Sequence, residues 1–325
     1  MPRRSAVVIP LYNIQKSRHY TEHATAERRS TLEIFRELSH GSFRYSRGVS
    51  DRIDGDCGYD QTLGKFKRLG PNKGERMRLP IVSGVIERRI LANYRVDPAR
   101  LSAVLPAPFR PQIVNGYGIG GICLIRLVNV RPKFLPIHWG VRSENAAHRI
   151  AVEWETDGTL MRGVYVPRRD TNSRLNVLAG GRIFPGLQHH ASFAVNESCD
   201  RFDVRMKSDD GVARVHVSGR VAKALNAGSI FETLDTASAF FAQGSIGYSA
   251  TQSQSRFDCV ELKCADWQVE ALEVDAIESS YFEDAVRFPA GSVEFDCALL
   301  MRNVVHEWHS REEICCAAQI EPARV

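Results

Sequence analysis

The stretch Ala179-Gly-Gly-Arg-Ile-Phe-Pro-Gly-Leu-Gln-His-His-Ala-Ser-Phe-Ala-Val195 decides how this chain is read. It reads as a glycine turn, a short irregular loop and then a strand carrying His189 and His190. Gly180 and Gly181 permit a turn or a close approach to a neighbouring backbone, and Pro185-Gly186 is a second turn signal. Beyond it the side chains alternate. His189, Ala191, Phe193 and Val195 share one face, and His190, Ser192 and Ala194 share the other. The apolar residues lie with His189, so His189 is expected to point inward and His190 outward or across the sheet.

The same residues carry a resemblance. Arg182, followed seven and eight residues later by His189 and His190, resembles the acetoacetate decarboxylase pattern Gly-Arg-Glu-x-x-x-x-Pro-Lys-Lys. In that family the first lysine forms a Schiff base with the substrate ketone, and its neighbour lowers its pKa. Here both lysines are replaced by histidines, and Ile183 stands in place of the glutamate. An imidazole cannot form an iminium with a ketone. The resemblance therefore implies the fold and not the Schiff-base reaction. The stretch from about residue 85 to 195 is similar to the uncharacterised DUF2071 group of the acetoacetate decarboxylase-like superfamily.

Bulk properties set outer limits. With 325 residues, 43% hydrophobic and 25% charged, the chain has the composition of a globular protein with room for a sizeable core. No apolar run approaches the roughly 18 residues of a membrane helix, so no membrane partner is expected. No apolar leader segment is visible. The eight cysteines are scattered without a CxxC pair, which argues against a zinc ribbon and points to reduced thiols and a cytoplasmic protein. The net charge of +5 is uneven. Residues 1–76 hold 15 Lys/Arg against 9 Asp/Glu, whereas the remainder holds 28 against 29. Nothing in the main domain calls for a nucleic-acid partner.

Residues 1–76 read as a basic, disordered extension, and Met77, preceded by Lys73-Gly74-Glu75, is the expected true start. The main domain is expected at 77–318, with a tail at 319–325. Residues 82–96 alternate as a strand, with Ile86, Arg88, Ile90, Ala92 and Tyr94 on one face. Asp97-Pro98 then opens a short helix, because Asp caps it and Pro is pre-shaped for its first position. The unit from Tyr94 to Phe109 resembles the family's opening strand, helix and Val-Pro-x-Pro-Leu exit. Gly116, Gly118, Gly120 and Gly121 invite a dinucleotide-binding reading, but they lead straight into a β-rich run rather than a helix, so a bent strand is expected. Residues 144–155 form a second alternating strand, with Glu144, Ala146, His148, Ile150, Val152 and Trp154 on one face. Residues 168–174 read as a polar loop, whose arginines could clamp a carboxylate or pair with Asp170. A helix is expected at 229–243, capped by Ser229 and Glu232. His306 and His309 are three apart, unlike a zincin motif.

The expected architecture is a mostly antiparallel α+β domain, curled into a barrel or cone with a few peripheral helices. Parity places Glu144, His148 and His189 inward, and the resemblance puts Glu144 on an active-site glutamate of the family. A neutral imidazole beside a carboxylate suits acid–base work near pH 7. These three are the candidate catalytic residues, and Arg88, Arg169, Arg182 and His190 are the candidate substrate contacts. The family's substrate arginine falls near Glu87-Arg88-Arg89, with the ungapped match on Glu87. One reading is a lyase, hydratase or isomerase acting on a small carbonyl or carboxylate compound without an organic cofactor. A second is a non-enzymatic ligand-binding or structural barrel. A third is a metal site of His148, His189 and Glu144. The resemblance also implies a homo-oligomer.

Overall fold

The computed structural model describes residues 81–134, 140–179, 186–251, 256–311 and 314–315. The extension, the start at Met77, the tail and the loop holding Arg182 lie outside the described residues. The strands in chain order are β1 (Val82–Val96), β2 (Arg110–Pro111), β3 (Ile113–Val114), β4 (Tyr117–Pro132), β5 (Val141–Thr156), β6 (Thr159–Thr171) and β7 (Gln188–Glu197). They continue as β8 (Arg201–Ser208), β9 (Arg214–Ala222), β10 (Ile246–Ala250), β11 (Arg256–Cys264), β12 (Glu270–Ser279), β13 (Val293–Ser310) and β14 (Ile314–Cys315). The helices are α1 (Pro98–Val104), α2 (Arg174–Ala179) and α3 (Leu234–Gln243).

The sheet closes on itself twice. Strands β13, β1, β4, β5 and β6 form a shared antiparallel wall. Through β7, β8, β9 and β12 that wall closes into a larger ring. Through β10 and β11 it closes into a smaller one. The wall is therefore buried on both faces, and stretches such as Ile119–Ile125 of β4 and Cys297–Met301 of β13 are buried residue after residue. Ile90, Ala92, Leu124, Ala146, Ile150 and Leu300 point into the larger ring with Val204, Met206 and Val217. Their sequence neighbours Leu91, Cys123, Ile125, Ala151 and Leu299 point into the smaller ring, against Phe241 of α3. Closure pairs the long inner strands all round, leaving few free backbone groups.

Local chemistry places the elements as expected in several places. Asp97 caps α1 by accepting from the Ala99 N–H at 2.8 Å. The glycines of β4 sit within the strand. A Cβ on Gly121 would stand 2.7 Å from the Ala92 carbonyl oxygen of the neighbouring strand, so a bare backbone is required there. Asp157 and Gly158, at φ 50° and 75°, make the tight turn between β5 and β6.

Four expectations need correction. The 168–174 segment is not a loop up to Thr171, because β6 runs on through it, paired with both β5 and β7. Helix α3 starts at Leu234, since Thr233 and Thr236 form the capping box. The Ser229 hydroxyl instead donates to Asp296 Oδ2 at 2.8 Å. Ile86 packs in the smaller ring, because an irregularity between Ile86 and Arg88 reverses the alternation. Strand β10, short and opened by Ile246-Gly247, has no period to announce it.

Candidate functional site

At one level of the larger ring a layer of charge interrupts the apolar core. Arg88 on β1 is 2% exposed and donates from Nη2 to Glu144 Oε2 at 2.6 Å and from Nη1 to Glu197 Oε2 at 2.8 Å. Arg126 on β4 donates from Nε to the other oxygen of Glu144 and from Nη1 to the other oxygen of Glu197. The four side chains thus form a charge-balanced quartet, which Arg126 Nη1 links outward to Glu87 Oε2 at 3.3 Å. It assembles because register sets Arg126 beside Arg88 on one side and beside Glu144 on the other. Although burial opposes it, hydrogen bonding from Arg88 and Arg126 holds the Glu197 carboxyl below its ordinary range. Each carboxylate oxygen in the quartet accepts from an arginine, so the layer reads as a brace across the ring.

A second polar group lies where β6 and β7 run parallel and the β8–β9 turn folds over them. Asp170 and His189 are register partners. Asp170 is fully buried and accepts three contacts from Arg168, between 2.8 and 3.1 Å. Burial raises its carboxyl, with Arg168 working against that. Arg168 Nη2 also donates to both oxygens of Asp210 at 2.9 Å. Burial works to raise the Asp210 carboxyl, but it also accepts from the Ser208 hydroxyl and the Val212 N–H, and these with Arg168 together hold it well below the usual carboxylate range. His189 Nδ1 lies 3.3 Å from Asp210 Oδ2. The His189 side chain is 39% exposed, so it stands at the open rim of the ring.

The three candidate catalytic residues share the inward face but have separate partners. Glu144 is held in the quartet. His148 is fully buried, 3.3 Å from the Ser279 hydroxyl through Nε2, and packs on Tyr281 at 5.1 Å. Burial, then Arg168 and Arg287, push its imidazole down to about 3. His189 lies level with Ala146 across two strand spacings, about 10 Å. Among the substrate candidates, Arg88 belongs to the quartet. His190 points to the other face, its Nδ1 2.7 Å from Asp209 Oδ2. Arg169 is directed away from the histidines, and its Nε donates to Ser249 Oγ at 2.9 Å. The arginine on the histidine side is Arg168, because the segment is strand and alternates. Among the described residues no group of three His, Cys, Asp or Glu side chains could hold a metal ion.

Sequence reading took Arg168 and Asp170 only as members of a polar loop, and it overlooked Arg126, Glu197 and Asp210 as site residues. A signal existed for two of them. Arg126 interrupts the apolar run from Ile122 to Val128, and Glu197 continues the 189, 191, 193, 195 alternation. For Asp210 there was none, since a turn brings it over β7 from the far end of β8.

A mostly antiparallel sheet closed into rings, with three short helices among the described residues, is the acetoacetate decarboxylase-like fold. The acetoacetate decarboxylase of Legionella pneumophila subsp. pneumophila str. Philadelphia 1 superposes at TM-score 0.50 with 10% identity, covering 79% of this chain and 95% of that one. The chain belongs to the DUF2071 family, described as an uncharacterized conserved protein, whose model matches residues 86–297. Two further structures are similar at lower scores. The enduracididine biosynthesis enzyme MppR complexed with pyruvate has 12% identity and TM-score 0.47, with 75% and 93% coverage. An acetoacetate decarboxylase-like enzyme from Sphingomonas wittichii RW1 has 13% identity and TM-score 0.45, with 80% and 98% coverage. No curated protein matches the chain. No described helix is long and apolar enough to cross a membrane.

Proposed function

We propose that this protein binds a small carbonyl or carboxylate compound at the rim of the larger ring. There His189 moves a proton on it, in a reaction of the lyase, hydratase or isomerase class. The observation that carries this reading is the His189–Asp210 pair at 3.3 Å, on a partly exposed imidazole at the position where the resemblance sets a reactive lysine. The Asp210 carboxylate 3.3 Å from Nδ1 favours a proton on that nitrogen, and in this reading Nε2 takes or gives the proton. Arg168, tied to both Asp170 and Asp210, keeps that carboxylate ionised and in place. Glu144 and His148 have structural roles in this reading. The first is saturated by two arginines, and the second is sealed from solvent.

The test is proton exchange. The full chain is incubated in D2O with a panel of 2-oxo acids, 3-oxo acids and their hydroxy counterparts, and loss of the C–H signals next to the carbonyl is followed by NMR. Exchange above the buffer rate is expected for at least one compound, and His189→Gln should slow it by about a hundredfold or more. A panel with no exchange, or a His189→Gln variant working at the parent rate, removes the proposal.

A further inference from the structure

The smaller ring holds a constellation that shares no residue with the rim described above. Arg89 on β1 and Arg149 on β5 both border a cavity of about 30 Å³, together with Leu91, Gln112 and Phe241. That volume admits one or two water-sized groups. Arg149 is 6% exposed, yet its Nε has no hydrogen-bond partner. Its Nη2 donates to Asn93 Oδ1, and its plane lies 4.9 Å over the Phe241 ring. Among the described residues Arg89 donates to sulfur alone, to Cys123 Sγ at 3.4 Å and Met301 Sδ at 3.9 Å, and lies 5.8 Å over Trp267. Among the described residues the cavity lining contains these two guanidinium groups and no carboxylate.

This arrangement needs a counter-charge. Arg88 and Arg126, one residue or one strand away, are matched by glutamates, whereas among the described residues no acid pairs with Arg89 or Arg149, which border one cavity. Leaving a buried cation without an anion is among the costlier features a fold can carry. Burial, with Arg89 adding to it, brings the Arg149 guanidinium down to about 10. Gln112 brings no counter-charge, because its amide is neutral; its Nε2 donates to the Val152 carbonyl at 2.8 Å.

We infer that the smaller ring binds a small monovalent anion between Arg89 and Arg149, either a halide-sized inorganic ion or the carboxylate end of a compact molecule. The free Nε–H of Arg149 supplies a directed donor, and Arg89 supplies a second charge from the adjoining strand. The cavity is too small for a nucleotide, and an ion that fills it leaves little space for screening water between its aromatic and aliphatic walls.

Thermal unfolding of the full chain tests this at constant ionic strength, with chloride, formate or acetate replacing a bulky sulfonate buffer anion. The expected result is a saturable rise in Tm with anion concentration. Saturation by chloride at lower concentration than by formate assigns an inorganic ion, and the reverse order assigns a carboxylate. Arg149→Met and Arg89→Met should each raise the half-effect concentration at least tenfold. Arg89 is partly exposed, so its variant serves should the first not fold. A Tm that is the same in every anion, or a rise left unchanged in the folded variants, overturns the inference. The proton-exchange test reads a different site, so the two outcomes are separable.

Discussion

Replacing Arg88 by methionine separates a bracing role for Glu144 from a chemical one. Arg88 is 2% exposed and makes two charge-assisted bonds, at 2.6 and 2.8 Å. Methionine keeps the apolar stem and removes both bonds, so Glu144 and Glu197 are left to share Arg126. Breaking a buried pair by deleting one partner costs about 3–5 kcal/mol. The Glu144 and Glu197 side chains are 12% and 25% exposed, so solvent offsets part of this and about 3 kcal/mol is expected. For a domain of this size that lowers Tm by about 6–12 °C. Arg88→Met combined with Glu144→Leu leaves the Arg126–Glu197 pair balanced, and it should recover more than half of the loss. Urea unfolding followed by tryptophan fluorescence measures Arg88→Met, Glu144→Leu and the double variant. If Arg88→Met lies within about 1 kcal/mol of the parent, or the double variant is worse than the two single losses together, the quartet is not a brace and the structural role of Glu144 fails.

Two other outcomes follow from the same structure. His148 and His306 are held neutral by burial, down to about 3 and about 4, whereas an unfolded histidine titrates near 6.5. Between pH 6.5 and 4 the unfolded chain therefore binds two more protons, and stability should fall as pH falls, by up to about 2.7 kcal/mol per pH unit. His306→Phe should halve that slope, and a stability that stays flat from pH 7 to 5 would contradict both assignments. Gly121→Ala should destabilise by about 1–3 kcal/mol, since the new methyl group meets the Ala92 carbonyl at 2.7 Å and a paired strand cannot retreat. Chemical denaturation measures this, and a neutral result would mean that β1 and β4 pack more loosely than their register indicates.

Much of the fold was legible because its signals are local. The Asp97 cap, the turn at Asp157-Gly158 and the two-residue alternation of β1 and β5 depend on neighbours in sequence, and each stands where it was read. The same period put Glu144, His148 and His189 on inward faces. It failed at Ile86, where an irregularity breaks the parity, and at 168–171, where a polar composition hid a strand.

What the sequence alone determined is where the long alternating strands such as β1 and β5 run and which side most of their residues present, because backbone sterics repeat every two residues. Only the tertiary structure decided who faces whom. The closure of one wall into two rings brings Glu197 onto Arg88 from 109 positions away, carries Asp210 over His189, and sets Arg89 and Arg149 on a cavity that, among the described residues, has no acid in its lining. Those pairings depend on how far each ring must curve before its last strand meets its first, and no local pattern encodes that distance.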